Sequence, residues 1–300
     1  MRPLKLGTRG SALARKQADI LMQALTGVAI ELVVVQTEGD RNGAPLEEIG
    51  GEGVFVKDIE RRLLAGEIDL AVHSMKDMPA RDPDGLIVGA VLPRADARDA
   101  LVARDGHTLY ELPNDARVGT DSKRRATQLL AMRPDLRIES IRGNVDTRIA
   151  KVMSGDYDAA VLAVAGLGRL GILEKASQVF EPEEMLPACA QGILAVQCRA
   201  DDAEVREALS SIDHEPTRAS ADAERAFLRR LGAGCRLPVG AFAEVTDGNL
   251  FIRAFVANDA GVIKSATSKG PVSAAARSGD ILAARLMMEA GIKPGAGATR

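Results

Sequence analysis

A cysteine framed by glycines and an aspartate at the end of an apolar run are the groups of this chain best placed for chemistry. Cys235 stands in Leu231-Gly232-Ala233-Gly234-Cys235-Arg236-Leu237-Pro238-Val239-Gly240. Glycine admits φ > 0 and leaves room for a close approach to the sulfur, and Arg236 beside it favours the thiolate. Taken alone, the simpler reading is a small buried residue in a tight turn, since free cysteine is among the most buried residue types. Asp77 lies in Ser74-Met75-Lys76-Asp77-Met78-Pro79, just past the apolar run Leu70-Ala71-Val72-His73. A carboxylate at that place can move a proton or hold a developing cation; the plainer alternative is a solvated loop aspartate. His73, inside the run, reads as a hydrogen-bonded structural histidine.

Arginines gather where helices begin. Arg9 and Ser11 occupy a strand-to-helix turn, and Thr120, Ser122, Arg124 and Arg125 occupy a second turn of the same kind. Arg142-Gly143-Asn144 opens a further helix with Arg148 one turn inside it, and Arg169 follows a strand ending near Ala165. Free N–H groups and partial positive charge at helix starts attract anions, and guanidinium forks pair with carboxylates bidentately. Any one of these arginines reads as a solvated charge, but together they suggest a surface for several carboxylates.

Composition removes other classes. A net charge of −3 and 3% aromatic residues argue against a nucleic-acid binder. No apolar stretch approaches the length of roughly 18 residues that a membrane helix needs, and the first residues lack an export-type apolar core, so a cytoplasmic protein is expected. Three cysteines, Cys189, Cys198 and Cys235, form an odd set without metal-site spacing; Cys189 and Cys198 read as core. Gly50-Gly51-Glu52-Gly53 lacks the lysine and spacing of a nucleotide loop. The Asp, Glu and His spacing gives no metal site, and the scattered histidines disfavour a Ser-His-Asp triad.

The elements that position these groups follow from periodicity. Leu4 to Thr8 reads as a strand, Ser11 as the cap of a helix, Ala29 to Thr37 as a buried parallel strand, and Val54 to Ala65 as a helix. Leu70 to His73 and Leu86 to Leu92 are further strands. Arg117-Val118-Gly119-Thr120-Asp121-Ser122 echoes Lys5 to Ser11, and Gly155-Asp156-Tyr157-Asp158-Ala159-Ala160-Val161 echoes Gly66 to Val72. Two copies of a β-α-β-α-β pattern predict two α/β lobes with largely parallel sheets and ligand sites past the strand ends. The first lobe is expected over 1–92 with 193–212, the second over 98–186, with hinges near 93–97 and 187–192. Residues 215–300 form a C-terminal α+β domain: a helix over Arg218–Leu231, the cysteine loop, a hairpin turning at Asp247-Gly248, a helix over Gly279–Glu289 and a frayed tail from Lys293.

Together, Arg9 to Ser11, His73 to Pro79, Ser122 to Arg125, Arg142-Gly143-Asn144-Val145-Asp146-Thr147-Arg148, and Ala223-Glu224-Arg225-Ala226 leading to Gly234-Cys235 resemble the porphobilinogen deaminase family, over essentially the whole chain. The resemblance implies two periplasmic-binding-protein-like lobes with mixed, largely parallel sheets plus the small C-terminal domain. It implies a dipyrromethane cofactor on a thioether to Cys235, and head-to-tail condensation of four porphobilinogen molecules with loss of ammonia, then hydrolysis to hydroxymethylbilane. Asp77 then matches the catalytic carboxylate that holds the pyrrole cations. Arg9, Arg124, Arg125, Arg142, Arg148 and Arg169 match carboxylate-binding arginines, and Ser11, Lys76, Thr120, Ser122 and Gln191 match cofactor or substrate contacts. The expected partner is the small-molecule substrate alone, with no nucleic acid, membrane or metal, and the expected state is a monomer. Glu48 and Glu52 replace lysines of some relatives, Asp121 and Lys123 replace small and apolar residues, and Ala190 replaces a glycine; alanine there would be strained if φ is positive. A non-catalytic two-lobed anion-binding protein is the main alternative; a ligand-binding regulator would need a DNA-binding segment that the chain lacks.

Overall fold

The computed structural model describes residues 2–37, 56–232, 237–258 and 260–293. Cys235, Glu48, Glu52, the Gly50–Gly53 loop and nearly all of the expected tail lie outside the described residues. The chain forms two compact units, Met1–Arg94 with Ile193–Ala219, and Ala95–Gly192 with Ser220–Arg300.

In the first unit, strands β1 (Leu4–Arg9), β2 (Ile30–Val35), β3 (Leu70–Ser74), β4 (Leu86–Val91) and β10 (Leu194–Arg199) form a sheet of order β2-β1-β3-β10-β4. β1 is parallel to β2 and β3, while β10 is antiparallel to β3 and β4, so four strands run one way and β10 opposes them. Helices α1 (Ala12–Ala24) and α6 (Ala203–Ser210) bury Leu21, Val205 and Leu209 against Leu4, Leu6, Leu70 and Val72 on one face. Helix α2 (Lys57–Leu64) packs Ile59 and Leu63 on the other, against Ile68 and Ala71. Among the described residues, the expected buried strand after Ala29 is instead an edge strand: β2 pairs only with β1 there, and Val34 is 41% exposed. Its apolar run is real, but an edge leaves one flank to solvent.

The second unit repeats this plan. Strands β5 (Asp99–Ala103), β6 (Arg117–Gly119), β7 (Arg137–Glu139), β8 (Ala159–Ala163) and β9 (Gln178–Val179) are ordered β7-β6-β8-β5-β9, with β5 the opposing strand. Each position matches one in the first sheet. Helices α3 (Lys123–Met132), α4 (Val145–Met153) and α5 (Val164–Leu170) complete it.

The sequence echo has a hydrogen-bonding cause. Asp69 and Lys5 exchange two bonds, Asp69 N–H to Lys5 O and Lys5 N–H to Asp69 Oδ2, both 2.8 Å. Asp158 and Arg117 do the same at 2.9 and 2.7 Å. In each copy an aspartate thus docks the central strand onto its neighbour. Burial alone would raise the Asp69 pKa, but donors from Arg2, Lys5 N–H and Arg199 hold it at about 2, against 3.8 ordinarily. A carboxylate with a depressed folded pKa contributes stability above its unfolded value, roughly 2 kcal/mol here, and that contribution is lost as pH falls from about 4 toward 2. Asp69→Asn is therefore expected to lower the urea midpoint at neutral pH while flattening its fall across that acid window; an unchanged acid slope would contradict the assignment.

The C-terminal segment carries helix α7 (Glu215–Leu231), sheet β11 (Val239–Thr246), β12 (Asn249–Ala257) and β13 (Ile263–Pro271), and helix α8 (Ala275–Ala290). The β11–β12 hairpin turns through Asp247 and Gly248 at φ 49 and 72, the positive pair that primed turns require. β13 was not anticipated, because its residues are mostly polar. A Cβ on Gly279 would lie 1.9 Å from Ala223 O, so glycine lets α8 cross α7 at backbone contact. Within α7, the fully buried Glu224 accepts from Ala190 N–H at 2.5 Å and Ala243 N–H at 2.6 Å. Ala190 has φ 61, so the glycine-to-alanine departure does place a side chain in the left-handed region, at a cost of about 1 kcal/mol.

Candidate functional site

In the first unit, β1 and β3 are adjacent and parallel, so the segments that follow them emerge at one end of the sheet. Ser11 caps α1 by accepting from Ala14 N–H at 3.2 Å, as its type and place predict. After β3 the chain makes a 3-10 turn, Met75–Asp77, with Met75 and Met78 buried beneath it. The turn leaves Lys76 half-buried and the Asp77 side chain exposed. Arg9, Ser11, Gln17, His73, Ser74 and Asp77 share the wall of one cavity. Gln17 was not singled out from sequence; it is buried, and its amide donates to Ser74 Oγ at 2.8 Å, bracing the strand end. The His73 imidazole is buried, and burial takes its pKa down to about 4.

The second unit holds the other arginines, each already engaged. Ser122 caps α3, and Thr120 Oγ1 accepts from Ser122 N–H at 3.2 Å, tightening the turn. Arg124 and Arg125, the second and third residues of α3, are buried and both meet Asp99 at the start of β5. Arg125 forks onto Asp99 Oδ1 through Nε and Nη2, at 3.2 and 2.7 Å, and donates from Nη1 to Val161 O. Arg124 Nη1 donates to Leu186 O and lies 2.7 Å from Asp99 Oδ2. Two guanidinium charges face one carboxylate, so the cluster keeps a net positive charge. Arg124 Nε is a buried donor with no hydrogen-bond partner among the described residues. Asp99 escaped notice in the sequence; its signal is a lone acid opening an apolar strand, Asp99-Ala100-Leu101-Val102.

Arg142 precedes α4, half-exposed, with Nε 3.4 Å from Asp121 Oδ2, so the departure at Asp121 bears directly on one of these cations. Arg148 Nε donates to Gly143 O at 2.8 Å. Arg169 lies in the last turn of α5 rather than directly at a strand end, because β8 stops at Ala163 and the chain turns helical at once; its Nη2 donates to Gly192 O at 2.7 Å, and burial lowers its pKa to about 10. Gln191 is fully buried, its amide donating to Ala97 O at 2.7 Å and Asp99 Oδ1 at 2.9 Å. Cys235 lies outside the described residues. No helix among the described residues is long and apolar enough to cross a membrane.

A family model described as porphobilinogen deaminase, dipyromethane cofactor binding domain, matches residues 4–207, and one described as the C-terminal domain of porphobilinogen deaminase matches 219–288. A porphobilinogen deaminase of Brevibacillus brevis is 49% identical over 82% of this chain and 81% of its own. One of Desulforudis audaxviator is 46% identical over 95% of this chain and 94% of its own. Among solved structures, a Salmonella typhimurium periplasmic binding protein with high arginine specificity aligns at 13% identity and a TM-score of 0.40, over 71% of this chain and 92% of that one. With both domain models matched in order and near half of all residues shared with such relatives along almost the full length, the chain belongs to the porphobilinogen deaminase family.

Proposed function

We propose that this protein is a hydroxymethylbilane synthase, which joins four porphobilinogen molecules head to tail, releasing ammonia at each addition, and frees the product by hydrolysis. The observation that carries the reading is the cavity where Asp77 stands with Arg9 and Ser11, in a chain whose family match spans both domain models. The dipyrromethane group, attached through Cys235, supplies the nucleophilic pyrrole carbon from which the chain grows. The residues suit such a group: it brings acetate, propionate and pyrrole N–H, and the protein offers cationic donors, an orphaned buried Arg124 Nε and an exposed carboxylate.

The roles of the residues follow from charge. Departure of ammonia from an aminomethyl carbon leaves positive charge shared with the pyrrole nitrogen. Asp77 faces the cavity as a carboxylate that stabilises this charge and accepts the pyrrole N–H. Arg9 and the helix start capped by Ser11 bind carboxylate substituents, with Lys76 beside them. In the second unit Arg124, Arg142, Arg148 and Arg169 do the same; Arg125 and Gln191, bound to Asp99, hold that array in place. Thr120 and Ser122 shape the turn from which it projects. The same reading makes the protein a cytoplasmic monomer acting on a small molecule, without nucleic acid or membrane as partner.

Intact mass tests cofactor, cysteine and reaction class together. Protein made in cells that supply porphobilinogen is expected to exceed its sequence mass by one dipyrromethane, and Cys235→Ser to lose that increment and all turnover. A wild-type protein at its bare sequence mass would overturn the reading.

A further inference from the structure

The two faces of the first sheet separate its side chains cleanly. Leu70 and Val72 of β3, with Val196 and Cys198 of β10, belong to the core under α1 and α6. Ala71 belongs to the core under α2. Strand alternation therefore sends His73 and Gln197 to the α2 side, where Glu60 of α2 is also buried. Gln197 Nε2 donates to Glu60 Oε1 at 3.0 Å. That bond engages the donor side of the amide and leaves Oε1 over. Gln197 Oε1 is buried without a hydrogen-bond partner among the described residues, and so is His73 Nε2.

Orphaned buried polar atoms are rare, and these two lie on the same face of neighbouring strands. The one pairing open to them puts the imidazole proton on Nε2, directed at the amide oxygen. The ring is neutral: burial brings its pKa to about 4, with Arg9 acting in the same direction and Gln197 against it. A neutral ring protonated on Nε2 has Nδ1 as an acceptor, and His73 belongs to the wall that also carries Arg9, Ser11 and Asp77.

We propose that the buried chain Glu60–Gln197–His73 fixes the imidazole tautomer so that His73 Nδ1 serves, beside Asp77, as a second hydrogen-bond acceptor for a pyrrole N–H in this cavity. The identity of the donor rests on the hydroxymethylbilane synthase reading. A pyrrole N–H only donates, and Arg9 and Lys76 cannot receive it, so a wall that holds such rings needs acceptors. Glu60 and Gln197 are positioning residues; His73 is the group that touches the ligand.

Nitrogen-15 NMR of holoenzyme labelled at its three histidines reads the tautomer directly. The Nε2–H pattern is expected for His73 in the wild type and a mixed pattern in Gln197→Leu, with kcat about tenfold lower, the worth of one hydrogen bond. A second pair covers the case in which Gln197→Leu does not fold. His73→Asn, whose amide oxygen takes the place of Nδ1, is expected to keep kcat within about threefold, whereas His73→Phe loses about tenfold at similar cofactor loading by intact mass. A wild-type Nδ1–H tautomer, or equal kcat in the Asn and Phe variants, overturns the proposal. Failure of the functional reading looks different: the mass increment is missing while the tautomer result stands.

Discussion

Asp77→Asn is expected to retain the cofactor increment in its intact mass and to turn over porphobilinogen about 10²–10³-fold more slowly. Asparagine keeps the size and one acceptor oxygen but removes the charge that opposes the developing pyrrole cation. Loss of one well-placed electrostatic group typically costs on that order, about 3–4 kcal/mol of barrier. The fold should be untouched, because Asp77 is exposed at the end of a 3-10 turn whose anchors are the buried Met75 and Met78. Melting temperature within error of wild type, together with a collapsed kcat, is the signature to look for. Normal turnover would remove Asp77 from the mechanism.

Asp99→Asn acts at the opposite extreme of burial. The carboxylate is fully buried, and the Arg124 and Arg125 side chains beside it are only 6% and 8% exposed. Neutralising it leaves two guanidinium groups packed together without a counter-charge, while the remaining amide oxygen still accepts from Gln191. Breaking a buried ion pair from one side typically costs about 3–5 kcal/mol, a large part of the stability of any domain. The expected result is a melting temperature lower by roughly 10 °C and poor cofactor loading. Removing both guanidinium groups as well, in Asp99→Leu with Arg124→Leu and Arg125→Leu, should recover part of the loss, since apolar replacement of the whole buried cluster is far cheaper than orphaning its cations. A single variant that melts like wild type would show that the arginines do not depend on Asp99.

These two aspartates also mark what the sequence discloses and what it withholds. Asp77 was legible because an apolar run followed by a Met-Lys-Asp-Met-Pro turn places a carboxylate at a strand end by local rules alone. The duplicated plan was legible for a similar reason: Asp69 and Asp158 sit at equal distances from equal strands, and their hydrogen bonds to Lys5 and Arg117 make that spacing obligatory. Asp99 was not legible, because its partners lie about 26 residues away and pairing across a sheet leaves no local mark. Arg124 and Arg125 could be read as cations at a helix start, yet only packing reveals that they share one buried counter-ion. Likewise His73 reads as a histidine inside a strand, whereas Gln197, buried on the same face of the sheet, arrives from β10. The strands β5, β7, β9 and β10 are short or late and carry weak periodicity, while β13 hides an edge strand in polar residues.

The position of β10 has a consequence for how the chain must be made. β3 and β4 emerge from the ribosome within the first 91 residues, but the strand that joins them spans Leu194–Arg199. Through the synthesis of about a hundred further residues, the strand bearing His73 therefore has an open edge, the feature that invites pairing with the wrong chain. The unit that carries Asp77 is finished only after residues 95–192 have been translated, so protection of a nascent β3 edge, rather than rapid folding of an N-terminal domain, is the demand this topology places on the cell.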